Sequence, residues 1–72
     1  MKFTNKVVYE VKVEDSNGMW VRLASLEYIS HLRIVAASIE SAIKKTKLYM
    51  KRLGAGSYRI ASVERIGRID AA

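Results

Sequence analysis

One stretch of this 72-residue chain, Ser38 to Leu53, reads as a long helix, and it limits what the rest can do. At about 100° per residue, Ile39, Ala42, Ile43, Thr46, Met50 and Leu53 fall on one stripe, with Tyr49 at its edge. Ser38 is placed as the N-cap, since its hydroxyl can accept from a backbone N–H two or three residues on. Glu40 in the first turn and Lys51 and Arg52 in the last suit the helix dipole. Gly54 sits where a left-handed residue ends a helix. A lone helix covers one face of one sheet and leaves the other face to solvent or to a partner.

The remainder alternates with the period of strands. Val7, Tyr9, Val11 and Val13 share one face of Lys6–Glu14, opposite Lys6, Glu10, Lys12 and Glu14, with Val8 as the one interruption. Asp15-Ser16-Asn17-Gly18 follows, and Asn-Gly is a strong hairpin signal, so a second strand is predicted from about Met19. Val21 and Leu23 continue one face there, with Trp20 and Arg22 on the other, and Leu32, Ile34 and Ala36 alternate again. The intervening residues 25–30 contain neither Gly nor Pro. A single strand bent by a bulge would fit, but two shorter strands with an irregular join fit better. Gly54-Ala55-Gly56 turns the chain into a last strand, Ser57–Ile66, where Val63 is out of phase with Tyr58 and Ile60 unless a bulge near Ala61-Ser62 corrects it. Residues 67–72 either extend that strand or fray. The predicted fold is α+β: a single domain over residues 1–72, in the order β-β-(β)-α-β. An antiparallel sheet of three to four strands would carry one amphipathic helix on one face.

Such a chain is too small for a broad substrate cleft. With no Cys it has no disulfide framework and no thiolate zinc site. His31 is the only histidine, and no spacing gathers carboxylates around it, so neither a metal nor a cofactor is expected. Gly54-Ala-Gly56 follows a helix rather than opening one and lacks the Lys-Ser/Thr pair of a phosphate loop. Tyr58, Arg59, Arg65 and Arg68 are residue types that small basic ribonuclease toxins use. No acid–base pair can be named with them, so the chain is read as no enzyme. The N-terminus has neither the apolar core nor the cleavage pattern of a signal peptide, and no run of about 20 apolar residues could span a membrane. A reducing cytoplasm is the expected location, and no membrane partner is expected.

The informative feature is charge. Residues 1–40 hold five bases (Lys2, Lys6, Lys12, Arg22, Arg33) and five acids (Glu10, Glu14, Asp15, Glu27, Glu40). The net charge of +6 therefore comes from the second half. Lys44, Lys45, Lys47, Lys51 and Arg52 lie within nine residues without an acid among them, and Leu48 sits in their midst, almost opposite the apolar stripe. An apolar anchor inside a cationic rim is the pattern of a contact surface for acidic partners. The same residues also describe a solvated face that keeps a small protein soluble. Trp20 beside Arg22 is a second candidate surface on the uncovered sheet face, where with Val8 it could close a homodimer. If the strand register slips by one residue, Trp20 turns inward to the core instead. The other aromatics, Phe3, Tyr9, Tyr28, Tyr49 and Tyr58, do not form the paired pattern of an RNA-recognition sheet.

Two segments, Ala36-Ala-Ser-Ile-Glu-Ser-Ala-Ile43 and Tyr58-Arg-Ile-Ala-Ser-Val-Glu-Arg-Ile-Gly67, give a strand running into a basic helix and then a final strand. In this layout, over about a third of the chain, the sequence resembles small α+β inhibitors encoded by phages and mobile elements, of which anti-CRISPR proteins are the best-known class. The resemblance implies host-defence inhibition in the host cytoplasm, by docking on a protein or nucleoprotein complex. The function expected is thus non-catalytic binding through Lys44, Lys45, Lys47, Leu48, Lys51 and Arg52 to an acidic protein or nucleoprotein complex. Direct, sequence-independent binding of DNA or RNA phosphates by the same face is the alternative.

Overall fold

The alternating segment Lys6–Glu14 forms β1, the central strand of the sheet. Val7, Tyr9, Val11 and Val13 are buried on one face while Lys6 and Lys12 are exposed on the other. The computed structural model describes residues 6–69; Lys2, Phe3 and the stretch 70–72 lie outside the described residues. The remaining elements are β2 (Val21–Arg22), β3 (Tyr28–Ile29), β4 (His31–Ala36), α1 (Ile39–Arg52) and β5 (Arg59–Ile69). Three strands form one antiparallel sheet in the order β4-β1-β5, and β2 pairs with β3 in a separate small sheet. The fold is α+β, with one helix packed against the antiparallel sheet.

Because β4 and β5 are both antiparallel to β1, they run parallel to each other, and the chain must cross over β1 to join them. Helix α1 is that crossover. It lies on the face of Val7, Tyr9, Val11 and Val13, joined there by Leu32, Ile34 and Ala36 of β4. The helix contributes Ala42, Thr46 and Met50, all fully buried. Each well-buried large apolar side chain adds about 1.5–3 kcal/mol. The buried Thr46 hydroxyl donates to the Ala42 carbonyl at 2.8 Å, so it carries no unmet hydrogen bond into the core.

Both ends of the helix follow the sequence signals. Ser38 is extended, with φ −151°, and its Oγ accepts from the Ser41 N–H at 3.2 Å. At the other end Gly54 has φ +67°, and the Ala55 N–H donates to the Met50 carbonyl at 3.1 Å. The stripe is narrower than its sequence pattern: Ile43 and Leu53 are half-buried, while Ile39 is 53% exposed. Ile39 belongs to the first helical turn, where Glu40 is exposed as well.

The last strand contains the predicted bulge and one more. The pairings Lys12 with Ser62 and Val13 with Ile60 leave Ala61 unmatched; Val8 with Gly67 and Tyr9 with Arg65 leave Ile66 unmatched. Ile60 and Val63 are three apart and would face opposite sides of a regular strand. The extra residue at Ala61 brings both to the helix side, where they pack on the core.

The segment after β1 departs from expectation. The Asp15–Gly18 turn forms, with the Asp15 carboxylate accepting from the Asn17 and Met19 N–H groups at 2.8 and 2.9 Å. The strand beyond it does not pair with β1, however. Val21 and Arg22 pair with Ile29 and Tyr28, and β4 takes the place beside β1. The reversal needs neither Gly nor Pro, because Leu26 itself adopts the left-handed conformation, with φ +70°. This small hairpin docks on the end of the helix: Val21 is buried, the Ala24 N–H donates to Leu53 O and the Gly56 N–H to Arg22 O, both at 3.2 Å. Trp20 therefore precedes the hairpin and is 62% exposed, neither core nor part of the uncovered face of the main sheet.

Candidate functional site

Helical geometry places the five cations and Tyr49 in two groups around Leu48. Tyr49, Lys45 and Arg52 lean toward the β4 side, and Lys44, Lys51 and Lys47 toward the β5 side, together wrapping the solvent half of α1. All five cations are exposed, and Leu48 among them is 53% exposed. Glu40, in the first turn, is the one acid on the helix.

On the β4 side the helix and the sheet edge enclose a groove of about 360 Å³. Arg33, Ile34 and Val35 form one wall; Lys45, Leu48, Tyr49 and Arg52 form the other. Lys45 reaches across it and donates from Nζ to the Val35 carbonyl at 2.8 Å. Three cations, two half-exposed apolar side chains and no carboxylate line this space. Guanidinium groups there can grip carboxylates or phosphates in bidentate fashion. On the opposite flank Lys47 shares a second depression, of about 600 Å³, with Ile43, Tyr58, Arg59 and Ile60. Arg59 is already engaged, its Nε 2.7 Å from Glu14 Oε1.

Of the residues singled out from sequence, Lys45, Leu48 and Arg52 meet in the groove, Lys47 lies on the other flank, and Lys44 and Lys51 stand free of both. Arg22 is exposed on the hairpin that contacts Leu53 and Gly56, and Trp20 is exposed just before it. The uncovered face of the main sheet interleaves Lys6, Glu10, Lys12, Glu14, Arg33 and Glu64 with half-buried Val8 and Val35. The homodimer expected over that face through Trp20 and Val8 therefore lacks its aromatic anchor, because Val8 lies in the main sheet and Trp20 precedes β2, outside both sheets. Arg33 and Tyr49 are the site residues that sequence reasoning passed over. Their residue types are suitable, but their proximity follows from β4 being an edge strand beside the helix.

Among the described residues, no three metal-binding side chains gather, and His31 Nδ1 lies 2.8 Å from Ser30 Oγ. No described helix is long and apolar enough to cross a membrane. No protein-family model matches the chain, and neither the curated proteins nor the solved structures yield a match.

Proposed function

We propose that this chain is a non-catalytic binding protein that docks on an acidic surface of a protein or nucleoprotein complex through the cationic side of α1 and occludes it. The observation that carries this reading is the ring of exposed cations around an exposed leucine, free of acids along Lys44–Arg52. Desolvating Leu48 at the centre gives affinity, and the rim of Lys and Arg gives orientation and a fast encounter. The resemblance of this layout to small phage-encoded inhibitors is the ground for reading occlusion as the consequence of docking.

The test is capture of partners from a host extract by the wild-type chain and by the variant with Lys44, Lys47 and Lys51 all changed to Glu. The variant should lose the acidic partner while keeping its fold by circular dichroism. Undiminished capture would reject the reading. A steep fall of affinity for DNA or RNA with rising salt, in the absence of protein, would instead assign the face to phosphate binding.

A further inference from the structure

The pairing of β4 with β1 fixes where its backbone groups point. Val13 and Ser30 stand opposite each other, and the Val13 N–H donates to the Ser30 carbonyl at 2.9 Å, which makes them a hydrogen-bonded pair. Hydrogen-bonded and open pairs alternate along an antiparallel ladder. Leu32, Ile34 and Ala36 are therefore the β4 residues bonded to β1, and His31, Arg33 and Val35 turn their N–H and C=O groups outward. The Lys45 bond to the Val35 carbonyl is an independent sign of the same direction. No described strand pairs with this side of β4.

The two edges of the sheet differ. The β5 edge is broken by extra residues at Ala61 and Ile66, and bulges of this kind discourage further pairing. The β4 edge keeps a regular register from His31 to Ala36, and the cation-lined groove runs beside it. An open, regular edge next to a helix-walled groove is the geometry in which an extended peptide adds a strand, with main-chain bonds for affinity and side-chain pockets for selectivity.

We infer that the outer edge of β4 receives an extended acidic segment of a partner protein, which joins the sheet as a fourth strand. The inference rests on the acidic-partner reading above and specifies its mode. An incoming N–H replaces the Lys45 ammonium on the Val35 carbonyl. The freed ammonium, with Arg52, then faces carboxylates that the segment turns to the helix side, and Arg33 faces those turned to the uncovered side of the sheet, while Leu48, Tyr49 and Ile34 receive an apolar side chain between them. The groove holds three cations and no acid, so the charge of its occupant is specified by complementarity.

The experiment uses the full chain and a blocked, fluorescein-labelled octapeptide of alternating Glu and Val. Two versions are N-methylated on every second residue, one on the Glu and one on the Val positions, and octaglutamate serves as the charge-only probe. Strand addition uses only every second peptide N–H, so one methylated version should bind at least tenfold more weakly while the other binds nearly as the parent does. Val35→Pro removes an outward N–H without touching the β1 ladder and should weaken the parent peptide by a similar factor with an unchanged melting curve. If that variant misfolds, the methylated pair on the wild-type chain decides. Equal binding of both methylated peptides, with octaglutamate still captured and lost on changing Lys44, Lys47 and Lys51 to Glu, would overturn strand addition and leave the acidic-partner reading standing. Failure of every peptide, octaglutamate included, would overturn both. Displacement of the peptide by a single-stranded DNA octamer that binds more tightly would assign the groove to nucleic acid.

Discussion

Gly54 is the position where a single methyl group should do the most damage. It follows the helix at φ +67°, and a Cβ built there would lie 2.6 Å from the Ala24 Cβ. Gly18 provides an internal control. It has a similar φ, +73°, but its nearest neighbour to such a Cβ is Glu14 Oε2 at 3.8 Å, an ordinary contact. A left-handed non-glycine residue costs about 1–2 kcal/mol, partly offset by about 0.4–1 kcal/mol because alanine restricts the unfolded chain. Gly18→Ala should therefore destabilise by about 1 kcal/mol. Gly54→Ala bears the same backbone cost plus overpacking of about 1–3 kcal/mol. The Ala24 backbone cannot easily retreat, since its N–H is tied to Leu53 O. The total, about 2–4 kcal/mol, is a large share of the roughly 4–11 kcal/mol expected for a domain of this size. Urea melts of the two variants should differ by about 1–3 kcal/mol in the sense that Gly54→Ala is worse. Adding Ala24→Gly should recover most of that difference, leaving the backbone part. Equal costs at the two glycines, or no recovery in the double variant, would refute the close approach of hairpin and helix end.

Two further substitutions probe the same framework. Leu26 is 66% exposed and sits at φ +70°, so Leu26→Gly should relieve backbone strain with little loss of packing and raise stability by about 0.5–1 kcal/mol in a thermal melt; a drop would mean that the leucine side chain supports the hairpin. Met50→Ala empties a fully buried site and should cost about 2–4 kcal/mol, whereas Ile39→Ala, at an exposed position, should cost less than about 1 kcal/mol; equal losses would contradict the narrowed stripe.

Local rules carry much of this structure. The period-two pattern of Lys6–Glu14, the Ser38 cap, the left-handed Gly54 and the bulge at Ala61 each depend on a few neighbouring residues and are legible in the chain. What escapes is pairing between distant segments. The Asn17-Gly18 turn is real, yet the strand it should have paired with β1 goes to a private hairpin, because burying Val21 against the helix end competes with a place in the main sheet. Leu26 hides the second reversal, since a left-handed leucine leaves no compositional mark. The candidate site is divided in the same way. Its lysines were visible as a helix face, but Arg33 and Tyr49 joined them only when β4 became an edge strand.

The arrangement of charge bears on whether that face exists merely for solubility. The uncovered sheet face mixes both signs, with Glu10 between Arg33 and Glu64 and with Glu14 paired to Arg59, as a solvated surface does. The helix does the opposite. Lys44 with Lys47, and Lys47 with Lys51, are like charges at spacings of three and four, each repulsive by about 0.2–0.5 kcal/mol. A glutamate at any of these positions would turn repulsion into attraction and still keep the chain soluble. Lys51 and Arg52 gain something from the helix dipole, but Lys44, Lys45 and Lys47 lie too far from the C-terminus to share it. A domain with a thin core thus gives up some stability to hold one sign of charge together. An anionic partner would supply the missing counter-charges, and the unfavourable spacing therefore favours docking over a surface that only meets water.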